Sequence, residues 1–439
     1  MMPRLITPLA CLLVAFATVP ECGADDAAEP RDALRQQVVA EGSTTDWPQW
    51  RGPGRDGRSL ATGLLQDWTK TKPKLLWTAK GMGKGHGSVA VANGRIFTTG
   101  GVRGAQAIVA VEEKSGEVLW TTTVKPQGGH RDSHSTPAVD GGRVYVLASG
   151  GVIACLDAAD GRIVWQKDCG REWKAKAPGY GYSGSPLVDG EKLICAPGGD
   201  ALLVALDKTN GDEIWRAAVP DAGGVEYSSP VVSHGGGVRQ YVQLVGRGVI
   251  GVRADDGKLL WKYDKVANGT ANIPTCITTG DHVFCSSGYG TGAALLKLAP
   301  AADGGVKAEE VYFVRGGTLQ NHHGGMVLVG EHVYLGNGHN QGFPTCVELK
   351  TGKIVWGGKI RGPGSGSAAV AYADGHLVFR YQSGEVALVA ASPRDYELRG
   401  SFRPEHVADP SWSHPVVAND RLFLRDQDVL MSYDVTAND

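Results

Sequence analysis

The stretch that decides the fold reads Val152-Ile153-Ala154-Cys155-Leu156-Asp157-Ala158-Ala159-Asp160-Gly161-Arg162-Ile163-Val164-Trp165. A short apolar run reaches a leucine and an acid. A tight turn then ends in glycine, and a second run ends in tryptophan. The pattern predicts two antiparallel strands joined by a short loop. Asp157 can hydrogen-bond turn amides, and Gly161 can take the positive φ that a type I turn with a bulge requires. A lone hairpin has no core, so its sheet must be completed and stacked against others.

The same stretch recurs. Val109-Ala110-Val111-Glu112 leads through Ser115-Gly116 to Trp120, and Ala205-Leu206-Asp207 through Asn210-Gly211 to Trp215. Gly251-Val252-Arg253 leads through Asp256-Gly257 to Trp261, and Val347-Glu348-Leu349 through Thr351-Gly352 to Trp356. Tryptophans of adjacent copies lie about 45 residues apart, which in an all-β chain is the period of a propeller with four strands per blade. One tryptophan per blade at constant register predicts structural docking between blades rather than ligand stacking. Trp173 and Trp412 break the period and are expected at the surface or at a mouth of the channel.

Inner strands are expected to begin near Ser88, Ser135, Ser185, Ser228, Pro274, Gly325, Ser367 and Ser413. Outer strands are expected near Trp120, Trp165, Trp215, Trp261, Phe313, Trp356 and Phe402. The eighth blade runs out of chain after Leu430-Met431-Ser432-Tyr433-Asp434-Val435. The orphan strand Lys74-Leu75-Leu76-Trp77-Thr78 can complete it, leaving no sheet edge at the seam. The fold class is therefore all-β: a single eight-bladed β-propeller of four-stranded blades over residues 47–435, its last blade closed by an N-terminal strand. Two blades look degenerate. In the fifth, Leu298-Ala299-Pro300 replaces the acid-turn-glycine segment, with a longer loop over 301–307. In the seventh, Ala391-Ser392-Pro393-Arg394 does the same. Residues 47–57 hold two tryptophans among Pro and Gly, and are expected to pack across something already folded.

Residues 1–24 read as a secretory signal, with Arg4 ahead of an apolar run and small residues Cys22-Gly23-Ala24 before the cut. The run is too short, and too interrupted by Pro8, to span a bilayer. Cys22 follows Pro20-Glu21, a poor context for lipid attachment. Residues 25–46 read as a flexible leader and 436–439 as a tail. The mature chain is expected to be exported, periplasmic or extracellular, and monomeric. A formal charge of −2 with no long basic block argues against nucleic acid or an acidic membrane as partner. Of the eight cysteines, none shows metal-like spacing. Cys276 and Cys285 flank the turn Gly280-Asp281. They can pair in an oxidising compartment, or serve as small buried apolar residues where other copies carry valine.

The hairpin, recurring around an eight-fold ring closed by an N-terminal strand, resembles the pyrroloquinoline-quinone-binding-like propellers. That resemblance covers residues 47–435. It implies two groups: quinoprotein alcohol dehydrogenases, and non-catalytic propellers such as the BamB-like outer-membrane assembly lipoproteins. The segments 47–57 and Asn321-His322-His323-Gly324-Gly325 look like those of secreted bacterial proteins of this type. The dehydrogenases typically carry adjacent cysteines over the quinone, and cytochrome-fused members carry CxxCH. This chain has neither, and it is shorter than they are.

Connections from each outer strand to the next inner strand emerge on one face near the axis. They carry His86, His130, Asp132, His134, Tyr180, Tyr182, Glu226, Tyr227, Asn272, Asn321, His322, His323, Trp412 and His414. A polar, aromatic pocket at that mouth can take an envelope protein or small ligand, through His86, His134, Tyr182, Glu226, Tyr227, Asn272, Asn321, His322, His323 and His414, or a metal through histidines of different blades. The other reading is that these groups hydrogen-bond unpaired backbone around a water-filled channel. Adjacent residues of an extended segment point opposite ways, so only one of His322 and His323 is expected to face the axis. Arg247, Arg315 and Arg380 lie near inner loops, with solvation as their default. The leading expectation is a secreted, non-catalytic binding or scaffold module of the periplasm or envelope. The alternative is an alcohol or sugar dehydrogenase dependent on pyrroloquinoline quinone and calcium, with Glu226 or Asp132 as its base. No catalytic or metal residue is assigned by a local motif.

Overall fold

The computed structural model describes residues 45–125, 132–302, 304–408 and 410–437. The signal segment, the leader through residue 44, His130 and the last two residues of the tail lie outside them. The described strands form eight four-stranded antiparallel sheets. Seven are consecutive in sequence. Their inner strands are Ala90–Ala92, Ala138–Asp140, Leu187–Asp189, Val231–Ser233, Ile277–Thr279, Asn321–Val329 and Ala368–Ala373. The eighth joins Val416–Ala418, Arg421–Asp426 and Val429–Asp434 to Lys74–Lys80 as outer strand. Lys74 pairs with Asp434 and Lys80 with Val429, so both ends of the chain share one sheet. Outer strands fall where the tryptophans place them, Val118–Val124 around Trp120 and Ile163–Asp168 around Trp165 among them.

The recurring hairpin has one construction. In the second blade the Asp157 carboxylate accepts from Ala159 N at 2.9 Å, and Asp157 O accepts from Gly161 N at 2.9 Å. Gly161 sits at φ 74°, a left-handed conformation that disfavours a side chain. The ladder slips by one residue between Cys155 and Leu156, and equivalent slips occur in the first, third, fourth and sixth blades. This is the bulge the turn demands.

The glycine has a second task. The Trp120 indole of the first blade lies over Gly161 of the second, where an added Cβ would meet Trp120 Cε3 at 2.5 Å. Trp120 Nε1 donates to Ala158 O of the same turn at 3.1 Å. Trp165 does the same to Gly211 and Lys208 O, and Trp215 to Gly257 and Ala254 O. At the seam Trp77 covers Gly116 and donates to Glu113 O at 3.1 Å, so the closing strand docks by the common rule. Tyr312 stands in for the tryptophan over Gly352. Trp356 donates to Ser392 O of the degenerate seventh blade, where no turn glycine stands, and Trp261 departs further. Facing the degenerate fifth blade, it donates within its own blade to Gln240 Oε1 at 2.5 Å.

The seam is also pinned by buried arginines. Arg425 donates to Gly83 O, Gly87 O and Thr98 Oγ1 of the first blade and its junction. Arg380 is paired with Asp426 at 3.2 Å and is fully buried, not solvated as the sequence suggests. Arg247 and Arg315 are exposed. Two further expectations are corrected. The fifth-blade loop is shorter, because the strands Gly292–Pro300 and Val306–Arg315 stay paired up to Pro300 and Val306. Trp173 is no surface residue. It ends a short helix, Cys169–Trp173, N-capped by Asp168, is 1% exposed, and donates to Glu213 Oε2. All six described cysteines are buried and free, Cys276 and Cys285 included.

Docking of an indole on a positive-φ glycine predicts unequal costs for two substitutions. Gly141 also has positive φ but open space around its Cβ position, so Gly141→Ala should cost about 1 kcal/mol, backbone strain alone. Gly161→Ala should cost roughly 2–4 kcal/mol, because the ring must also move. Denaturant midpoints of the two variants measure the difference.

Candidate functional site

The axis is filled by the chain itself. Residues 45–59 run through the channel and bond to seven of the eight blades. Trp47 exchanges backbone hydrogen bonds with Val91 of the first blade, and Pro48 O accepts from Val139 N of the second. Arg55 donates to Ser185 O and Pro186 O of the third. Trp50 Nε1 donates to Thr275 Oγ1 of the fifth at 3.1 Å, and Arg51 to Gly324 O and Met326 O of the sixth. Gly57 and Ser59 pair with Tyr372 of the seventh, and Thr45 and Asp46 bond to Asn419 of the eighth. Arg51 and Arg55 hold φ of 63° and 53°, so the segment turns tightly and projects both guanidiniums into the walls. Each residue is 4% exposed. Burial lowers Arg51 to about 10 and Arg55 to about 9, so both stay cationic at neutral pH. Asp56 offsets Arg51.

Above this plug, the junction face gathers rings. His86 stacks near His134 at 5.5 Å and meets Trp412 at 4.8 Å. Trp412 meets His323 at 4.4 Å, and His322 lies 3.9 Å from His323 and 4.1 Å from His339. Tyr289 closes the arc against His322 and His339. The expected opposition of His322 and His323 does not occur: their rings stack. Gly324 at φ 80° and the break in pairing between Asn321 and Met326 turn the segment out of regular extension. His339 and Tyr289 escape a reading confined to the outer-to-inner connections. They lie in turns between second and third strands, which share that face.

The remaining candidates are more dispersed. Tyr182 is 1% exposed and donates to Pro197 O, which removes it from the mouth. Asn272 and Asn321 are buried and spend their amides on nearby groups: Asn268 O and Ser287 Oγ for one, Gly336 O and Gly324 N for the other. Glu226 is half-buried, accepts from Asn272 N at 3.3 Å, and has its carboxyl raised by desolvation. Tyr227 lies 5.7 Å from Tyr180. Trp50 packs on His414 at 4.5 Å, and His414 is bonded to His323 O.

Burial holds these imidazoles neutral. His322 falls to about 4, His86 and His414 to about 3, and His323 well below its usual value. Each folded-state value lies below the unfolded one near 6.5, so between them the unfolded chain binds more protons. Stability is whole above pH 6.5 and falls as pH drops toward 4. Acid unfolding from pH 6.5 to 4.5 should therefore be steeper for the native chain than for His322→Asn, by up to ~1.4 kcal/mol per pH unit.

The residues present do not suit the quinone and calcium that the resemblance implies. Calcium needs six or more oxygens around one point. Here Glu226 serves the Asn272 backbone, the two asparagine amides are satisfied internally, and residues 45–59 occupy the axis. Among the described residues no three His, Cys, Asp or Glu side chains converge as metal ligands. No described helix is long and apolar enough to cross a membrane.

Comparison with known proteins agrees with the ring. The outer membrane protein assembly factor BamB of Shewanella oneidensis is 27% identical over 253 residues, covering 55% of this chain and 60% of that protein. The chain thus spans less than two thirds of that relative. The crystal structure of BamB from Moraxella catarrhalis superposes with a TM-score of 0.58 at 12% identity, over 84% of this chain and 99% of that one. Quinohemoprotein alcohol dehydrogenase from Comamonas testosteroni superposes at 0.63 and 13%, over 93% and 82%. At these identities both structures speak for the fold alone. The family described as outer membrane protein assembly factor BamB matches residues 61–172 and 104–358, and the chain belongs to that family of quinone-type repeat propellers.

Proposed function

We propose that this chain is a non-catalytic scaffold of the cell envelope, exported to the periplasm or beyond, that holds a protein partner on a rigid ring. The observation that carries the reading is the axial plug. Chemistry on a propeller axis needs convergent reactive groups. Residues 45–59 instead spend their polar atoms on the walls of seven blades. Membership of the assembly-factor family supports the same direction, as does the use of the mouth amides for internal bonding.

Contact with a partner has two surfaces available. One is the junction face with its arc of histidine, tyrosine and tryptophan rings. The other is the blade rim, where each outer strand leaves one edge without a strand neighbour. Leu119, Ile214, Val311 and Leu398 stand 41–47% exposed there. An extended segment of a partner can add to such an edge through main-chain bonds while its side chains cover the apolar positions.

Crosslinking of the mature chain in intact cells should capture an outer-membrane assembly protein, and a charged residue at Ile214 or Val311 should reduce capture severalfold if the rim is used. Incubation with the quinone, calcium and simple alcohols should give no saturable dye reduction. Saturable reduction that disappears in Glu226→Ala reverses the reading in favour of a dehydrogenase.

A further inference from the structure

The plug bonds to every blade but the fourth, and there it leaves a cavity of about 780 Å3. One wall is the plug, from Gln49 to Leu60. The other is made by the inner strands of the third, fourth and fifth blades. The lining reaches from Leu187, Val231 and Cys276 near the strand starts to His234 and Gly280 in the first hairpin turns. The space therefore runs toward the face opposite the histidine arc. Its size is that of pockets that enclose a small organic molecule.

The walls are largely aliphatic, with Leu60, Leu187, Val232 and Ile277 among them. The charges are not balanced. Three guanidiniums, Arg51, Arg55 and Arg239, meet two carboxylates, Asp56 and Asp189. Arg239 is paired with Asp189 at the outer end, where Asp189 also accepts from Tyr241 Oη at 2.6 Å. Asp56 lies with Arg51, whose guanidinium donates to its backbone carbonyl. Among the described residues no carboxylate pairs with Arg55. It donates to two carbonyls and to Gln49 Oε1, its Nε has no partner among them, and the residue is 4% exposed. A buried cation with unmatched charge is costly unless a counter-ion completes it.

We infer that this cavity binds a carboxylate carried on an apolar body, with the acid on Arg55 and the apolar part along Leu187, Val232 and Ile277. Two sources share that chemistry: a free amphiphilic acid, and the C-terminus of an apolar peptide. The site stands whether or not the ring acts as a scaffold, since it lies away from both the junction face and the rim.

Titration calorimetry on the mature chain tests it with four probes: decanoate below its micellar concentration, 1-decanol, a hexapeptide ending in leucine and valine with a free carboxylate, and the same peptide amidated. At least one acid should bind saturably with one site per chain, at least tenfold tighter than its uncharged counterpart. Binding of decanoate alone assigns a free amphiphile, and binding of the peptide acid alone assigns a chain end. Arg55→Gln should weaken binding at least tenfold. Because Arg55 also anchors the plug, Val232→Phe provides a second reading: it narrows the cavity without touching Arg55, and should weaken binding tenfold with an unchanged melting temperature. No acid binding, equal binding of acid and uncharged probe, or undiminished binding by a folded Val232→Phe chain would overturn the assignment.

Discussion

An indole seated on a left-handed glycine of the neighbouring blade is the interaction on which this molecule is built. It couples three demands in one short stretch. The acid closes the turn, the glycine gives the turn its conformation and leaves its surface bare, and the tryptophan of the preceding blade fills that bareness and binds the turn carbonyl. None of these is stable alone, because a four-stranded blade exposes both faces until neighbours cover them. The contact joins the first four blades in succession, Trp77 carries it across the seam from the eighth blade to the first, and Tyr312 takes the role between the fifth and sixth.

This is why the ring was legible in the sequence. Tryptophan is rare enough that its fixed spacing behind an acid and a turn glycine survives as a visible period, and the missing outer strand announced its substitute. Legibility ended where residues answer to several blades at once. The Trp, Pro and Gly of residues 47–57 announce packing across something folded but not the partners of Arg51 and Arg55, which lie at Gly324, Met326, Ser185 and Pro186, far along the chain. Arg380 was hidden for the same reason, since its carboxylate is Asp426 of the next blade.

The candidate site was legible in part. The convergence of connections on one face groups His86, His134, His322, His323, His414 and Trp412, and their rings and backbone do meet there. Two things were not readable. A local pattern does not reveal that Asn272 and Asn321 are consumed by their own loops, nor that a glycine bends His322 and His323 onto one another. The dry environment that keeps His86, His322, His323 and His414 neutral is also a property of the assembled ring, because these residues come from separate connections that meet only there.

The plug has an implication for how the molecule is made. Residues 45–59 precede every blade in the chain, yet their partners stretch to Asn419, and the neighbouring Leu65 bonds to Val435. A chain that leaves the ribosome or a translocation pore N-terminus first must hold this segment in waiting until its last strands arrive. Its seating is thus a late event that reports completion: a truncated ring has no axis to receive Trp47 and Trp50, and leaves both indoles bare to the proteases and chaperones that clear unfinished chains.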